Sequence, residues 1–241
     1  MPTRVTLTTD FGTRDPYVAQ LKGVLYAQGP SSLEVVDLSH EIEAQNIREA
    51  ALFVRTAWPR FPHGTIHIAV VDPGVGSVRR ALAIEHAGQY WLAPDNGLLS
   101  WLLMATGDVR AVALDHARFG TAPLSATFHG RDLFAPAAAL IARGAALDQL
   151  GESTSDWTQL AWRSIESTSS GLRGEIIHVD RFGNLITNLS RSDLAVLGEA
   201  WTVRVGTVES LPRVRCYADA SPGVAVALIG SSELLEIAVR D

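Results

Sequence analysis

V-V-D-P-G-V-G-S-V-R-R, residues Val70 to Arg80, separates two apolar runs. The first, Ile66 to Val71, has strand length and arrives at Asp72. Pro73-Gly74 breaks it, and the chain turns through Gly76 and Ser77. It leaves through Arg79-Arg80 into the second run, Ala81–Ile84. A carboxylate and a guanidinium thus stand seven residues apart across one tight, glycine-rich turn. Such a turn can aim both groups at one point and position a small nucleophile. The plainer reading is a hairpin-like turn, with Asp72 as turn former and Arg79 in solvent.

The flanking pattern alternates strands and helices. Arg4–Thr9 reads as a strand ending at Asp10, and Leu33–Val36 as a second ending at Asp37. Between them Asp15-Pro16 reads as a helix start, with Asp15 as N-cap, and Gly29-Pro30 as its stop. Asn46 reads as the cap of a helix carrying Ile47, Ala50, Ala51 and Val54. Tyr90–Ala93 leads into Pro94-Asp95, and Asn96-Gly97 opens an apolar helix over Leu98–Ala105, stopped by Gly107. Asp132 reads as the cap of a helix through Ile141. This spacing predicts βα units and a mostly parallel sheet. Strand ends at Asp10, Asp37, Asp72 and Asp95 would line one sheet edge, where ligands of open α/β sheets sit.

Composition shifts at Gly151–Gly171, where Ser, Thr and Glu surround Trp157 and Trp162. The expected organisation is an N-terminal three-layer α/β domain over 1–150 and a linker over 151–171. A smaller all-β, barrel-like domain over 172–241 follows, with strands at Arg173–Val179, Trp201–Val205, Val214–Tyr217, Val224–Ile229 and Leu234–Val239. Gly230-Ser231-Ser232 joins the last two as a tight hairpin, and Ser192–Leu197 reads as a short helix.

The 241 residues are 47% hydrophobic and 19% charged, which excludes disorder. A net charge of −6 argues against a nucleic-acid ligand. Apolar runs are too short to span a membrane, and no signal peptide is visible. A soluble, cytoplasmic protein is expected. Cys216 is the lone cysteine, so no disulfide framework forms within the chain. Gly74-Val75-Gly76 begins like a dinucleotide fingerprint, but Arg79 holds its sixth position and a strand follows. His63 and His67 are not on one helical face, so no metal site is expected.

Two further segments carry chemistry. In T-F-H-G-R-D, Thr127 to Asp132, His129 precedes an apolar helix and can exchange a proton near neutral pH. In D-R-F-G-N, Asp180 to Asn184, Phe182 offers a flat ring and Asn184 an amide suited to a base edge. A packed histidine and an Asx turn are the plainer readings.

Taken together, T-T-D-F-G, V-D-P-G-V-G-S-x-R-R, A-P-D-N-G-L-L, T-F-H-G-R-D-x-F-A-P-A-A and V-D-R-F-G-N-L-x-T-N occur in that order. The sequence resembles the S-adenosyl-L-methionine (SAM) hydroxide adenosyltransferases, or SAM hydrolases, a family related to fluorinase and chlorinase. The resemblance implies an α/β domain followed by a β domain. It also implies a homotrimer whose sites lie between the first domain of one subunit and the second domain of the next. It implies that SAM is the substrate and that no cofactor is used. By motif, it assigns Asp72, Arg79 and His129 to water activation and Asp10 to the ribose. Asn184 and Phe182 fall at adenine, while Asp15, Phe128 and Gly130 fall beside the substrate. Ser231, Glu236 and Val239 of the last hairpin complete the set.

The related halogenases carry Tyr where this chain has Asp72 and Ser where it has Gly130. A negative Asp72 would repel halide, and the long fluorinase insertion is absent, so water is the expected nucleophile. The chain stops at Asp241, short of a small-residue segment with which relatives often continue. A non-catalytic SAM or adenosine sensor and a metal-dependent hydrolase are the alternatives from other classes.

Overall fold

The computed structural model describes residues 3–100, 108–120, 123–160, 165–198 and 201–240. The chain divides into two compact units, Met1–Leu160 and Ala161–Asp241. The first holds β1 (Arg4–Thr9), β2 (Glu34–Ser39), β3 (Ile66–Val70), β4 (Ala81–His86), β5 (Gln89–Pro94), β6 (Val109–Leu114) and β7 (Gly151–Ser153). They form one sheet in the order β2-β1-β3-β5-β4-β6-β7. The pairs β1–β2, β1–β3 and β3–β5 are parallel; β4 runs antiparallel to β5 and β6, and β6 to β7. Helices α1 (Tyr17–Gln28) and α2 (Ile47–Ala57) supply the crossovers that parallel pairing requires.

Side-chain alternation puts helices on both faces. Ile66, Ile68 and Val70 share a core with Leu21 and Leu25 of α1 and with Phe134, Ala138 and Ile141. Ala69 and Val71 point the other way, toward Ala50 and Val54 of α2, Trp91 and Leu98. β3 is buried throughout, which explains its unbroken apolar run. Asp10, Asp72 and Asp95 therefore follow the carboxyl ends of three adjacent strands, β1, β3 and β5.

Several local expectations shift. Pro16, not Asp15, holds the N-cap position of α1, with no side-chain cap, so Asp15 remains an exposed loop residue. β2 runs past Asp37 to Ser39, because Asp37 and Ser39 keep pairing with Leu7 and Thr8 of β1; the Asp37 carboxylate meets Lys22 at 2.6 Å. Asn46 does cap α2, accepting from the Glu49 N–H at 3.1 Å. The expected helix over Leu98–Ala105 lies largely outside the described residues, as does Trp162. Within the stretch expected as a linker, Gly151–Ser153 pairs with β6.

The second unit is antiparallel. β8 (Glu166–Thr168) pairs with β9 (Gly171–Arg173), and β12 (Val203–Val205) with β13 (Val208–Leu211). β10 (Ile176–Val179), β11 (Leu185–Ser190), β14 (Ala225–Ile229) and β15 (Leu234–Val239) form a sheet in the order β10-β11-β15-β14. The expected strand Arg173–Val179 is interrupted at Gly174-Glu175. The Asn188 carboxamide oxygen occupies that position, accepting the Glu175 N–H at 2.8 Å. Val214–Tyr217 is not a strand; Tyr217–Asp219 forms a 3-10 turn instead. The short helix is Arg191–Ala195, capped by Ser190. The hairpin turn at Gly230 closes as expected, the Gly230 N–H donating to Leu234 at 2.9 Å.

One buried polar group in the first unit makes stability depend on pH. The His67 Nε2 donates to Gln89 Oε1 at 2.7 Å, and Nδ1 accepts from Thr6 Oγ1 at 2.7 Å. Burial, opposed by the Gln89 bond, lowers its pKa from 6.5 to about 4. The unfolded chain protonates first as pH falls, so stability present above 6.5 is lost on the way down to about 4. The full shift is worth about 3 kcal/mol. Urea unfolding at pH 7 and pH 4 should therefore show a steeper acid loss in the parent than in His67→Gln.

Candidate active site

The Val70–Arg80 turn is held by its own backbone and by glycine geometry. The Val75 N–H donates to the Asp72 carbonyl at 3.2 Å and the Ser77 N–H to Gly74 at 3.1 Å. Gly76 has φ +78, and an added Cβ would sit 2.2 Å from the Ala126 carbonyl oxygen. Only glycine satisfies both demands. That contact brings the turn against the loop that carries His129.

Within the turn, Arg79 donates from Nε to Asp72 Oδ1 at 2.7 Å and from Nη2 to Asp72 Oδ2. Nη2 also donates to His129 Nδ1 at 2.8 Å, and Nη1 to the Arg80 carbonyl at 3.1 Å. The Asp72 side chain is 5% exposed and that of Arg79 10%. A bidentate pair this sheltered is a strong contact and a rigid one. The three groups expected together are thus in direct contact, from two loops 50 positions apart. Asp72 is a partner of Arg79, and the solvated-arginine reading fails.

The same bonds fix the histidine tautomer. A guanidinium has only donors, so His129 Nδ1 must accept and the ring hydrogen lies on Nε2. Burial lowers the His129 pKa, and the Arg79 charge lowers it further, against opposing contributions from Asp72 and Asp132. His129 is therefore a neutral ring whose Nε2–H is its donor.

Past His129 the chain makes one wide, π-helical turn, Gly130–Phe134, before the helix Ala135–Ala142. Asp132 does not cap that helix. It lies inside the wide turn, paired with Arg131 Nε at 2.6 Å and accepting the Ser125 N–H at 3.1 Å. Phe128 is buried, its ring edge-on to Phe11 at 5.7 Å and to Tyr17 at 5.4 Å. A Cβ on Gly130 would meet the Phe11 and Phe128 rings at 3.3 Å. Asp10, beyond β1, accepts the Gln45 N–H at 2.9 Å; Gln45 adopts a positive φ of 67 to make that bond.

In the second unit, Asp180 accepts the Phe182 N–H at 2.8 Å and the Asn184 N–H at 2.9 Å. The Asn184 side-chain amide also donates to Asp180, at 2.9 Å. The loop holds Asn184 buried and leaves Phe182 86% exposed. Ser231 is exposed in the hairpin turn, and Val239 is exposed at the end of β15. Glu236 is buried, and its carboxylate accepts from the Tyr217 hydroxyl. Burial and the Glu236 contact push the Tyr217 pKa up.

Comparison with known proteins matches two models over successive parts of the chain. The SAM hydroxide adenosyltransferase N-terminal domain covers residues 5–151, and the C-terminal domain of the same name residues 174–241. The chain belongs to the SAM hydroxide adenosyltransferase family. A protein of Thermus thermophilus named (R)-S-adenosyl-L-methionine hydrolase is 41% identical over 96% of this chain and 90% of its own. One of the same name from Salinispora tropica is 36% identical over 98% and 90%. The crystal structure of an uncharacterized conserved protein from Thermotoga maritima superposes with a TM-score of 0.90. It is 32% identical and matches 98% of this chain and 92% of that one.

Within this adenosyltransferase fold, some contacts had no local sequence signal. Gly76 against Ala126, Gln45 on Asp10 and Tyr217 on Glu236 join residues distant in the chain. Among the described residues no cluster of three or more His, Cys, Asp or Glu side chains suits a metal ion. No described helix is long and apolar enough to cross a membrane. Gly76→Ala adds a Cβ where φ and the Ala126 carbonyl forbid one, so it should cost about 1–3 kcal/mol of unfolding free energy. Chemical denaturation of the two proteins measures it.

Proposed function

We propose that this chain hydrolyses SAM to adenosine and L-methionine by in-line attack of water or hydroxide on C5′. The observation that carries the reading is the direct Asp72–Arg79–His129 contact beyond the end of β3. The two relatives are named as hydrolases of (R)-S-adenosyl-L-methionine, and the proposal extends that configuration to the substrate here.

Methionine leaves a sulfonium as a neutral thioether, so the leaving group needs no acid. The oxygen forms a bond to C5′, the C5′–S bond breaks with its electron pair on sulfur, and one proton is released. The difficult partner is the nucleophile, since water is weak and hydroxide scarce. Arg79 stabilises charge that develops on the oxygen. The His129 Nε2–H donates to that oxygen, and Asp72 accepts the proton. Holding the oxygen opposite sulfur contributes much of the rate. Asp10 accepts from the ribose hydroxyls, with Asp15, Phe128 and Gly130 beside the sugar. Phe182 and Asn184 receive adenine, with Ser231, Glu236 and Val239 at the same end.

The proposal also includes a cytoplasmic homotrimer with sites at subunit interfaces and no cofactor beyond SAM. The exposed Phe182 ring supports an interfacial adenine site. Sedimentation of the purified chain tests the trimer. Halide transfer is the less favoured chemistry, because the Asp72 carboxylate flanks the nucleophile.

Incubation with SAM should release adenosine and methionine in equal amounts; binding without turnover would instead identify a sensor. Arg79→Ala should lower kcat by about 100- to 1,000-fold while KM changes little. His129 works as a neutral ring with its pKa below 6.5, so kcat should hold through neutrality and fall only on its acid side. A pH–rate profile of the parent checks the position of that limb.

A further inference from the structure

Two arginines stand side by side at the end of the turn, yet only Arg79 reaches Asp72. Arg80 turns away. It donates from Nε to Asp95 Oδ2 at 2.8 Å, with Nη2 2.7 Å from the same oxygen. Nη1 reaches Thr154 Oγ1 at 3.3 Å, and Nη2 the Asp156 carbonyl at 2.5 Å. The Asp95 side chain is 4% exposed, and its other oxygen accepts the Thr158 N–H at 2.7 Å.

The backbone closes the arrangement. The Asp95 N–H donates to the Arg80 carbonyl at 3.0 Å, one step beyond the Ala81–Pro94 pair of β4 and β5. That same carbonyl accepts the Arg79 Nη1 at 3.1 Å. Asp95 therefore holds the Arg80 side chain by its carboxylate and the Arg80 carbonyl by its N–H. The carbonyl in turn is one of three protein acceptors that fix the Arg79 guanidinium.

We propose that Asp95 is a positioning residue for water activation, pinning Arg80 away from Asp72 and thereby setting the place of Arg79. The inference rests on the function proposed above. Its physical basis is competition. A carboxylate attracts either of two adjacent guanidinium groups, and charge alone does not distinguish them. A second buried carboxylate that matches Arg80 removes the competitor. The shared carbonyl then carries the placement through one atom.

Asp95→Asn keeps the shape and an acceptor for Thr158 but removes the charge that holds Arg80. The experiment measures kcat and KM for SAM, melting temperature, and the His129 ring ¹⁵N signals of the full chain. The variant should lose about 10- to 100-fold in kcat with KM nearly constant, as misplaced Arg79 serves the reaction poorly. Its His129 Nδ1 signal should move, reporting a disturbed Arg79 donor. Arg80→Gln combined with Asp95→Asn removes the competitor and should recover most of kcat. If Asp95 were only a staple for the sheet, its variant would melt earlier with kcat per folded molecule and His129 signals unchanged. That result overturns the proposal, as does a double variant no better than Asp95→Asn. Should the parent release no adenosine, the proposed function fails alone, and the His129 signals still decide the role of Asp95.

Discussion

The first unit converges on the Arg79 guanidinium. Its N–H groups reach both Asp72 oxygens, His129 Nδ1 and the Arg80 carbonyl. Each acceptor comes from a different constraint: the end of a buried parallel strand, a loop fifty residues away, and the first rung of an antiparallel pair. Arginine suits this because its fork is planar, permanently charged and rich in donors. Lysine has no second nitrogen with which to join carboxylate, imidazole and carbonyl in one plane. The cost is desolvation of an ion pair, offset because both carboxylate oxygens and most of the fork are hydrogen-bonded.

Sheet topology explains why the carboxylates gather. β1, β3 and β5 are neighbours and run the same way, so the residues after them share one edge. Glycine at 76 lets that edge meet the His129 loop closely, since Ala126 leaves no room for a side chain. Packing behind the site is apolar and rigid: Val70 and Phe134 lie in one core, Val71 and Trp91 in the other. A site built on strand ends inherits the precision of those strands.

Much of this was legible in the sequence where the signal is local. The apolar run into Asp72, the Asn46 cap and the Gly230 hairpin each depend on residues within a few positions. The Asp72–Arg79 pair was legible for the same reason, being seven residues apart on one turn. Asp132 misled because an aspartate before an apolar run looks like a cap, yet Arg131 beside it and the Ser125 N–H claim its carboxylate. Asp15 misled in the same manner, since α1 begins after Pro16. Asp95 ended a strand as expected, but its partners lie 15 and 63 positions away, and no periodicity marks such pairs. Tyr217 on Glu236 is equally non-local. Roles beyond contact came from motif resemblance, because spacing cannot say what a neutral imidazole will donate to.

The wide turn at Gly130–Phe134 adds chain length without adding rotation. The Ala135 N–H donates to the Gly130 carbonyl, five residues back, so this segment holds one residue more than a regular helical turn. A helix advances about 100° per residue. The wide turn spends five residues on about the rotation that four make in a regular helix, so it takes up the extra residue without turning the buried stripe of Ala135–Ala142. The chain between the imidazole and the helix is one residue longer, while the packed face of the helix keeps its phase. The surplus residue is in effect slack taken up locally, between a scaffold that must not turn and a side chain that must face one way.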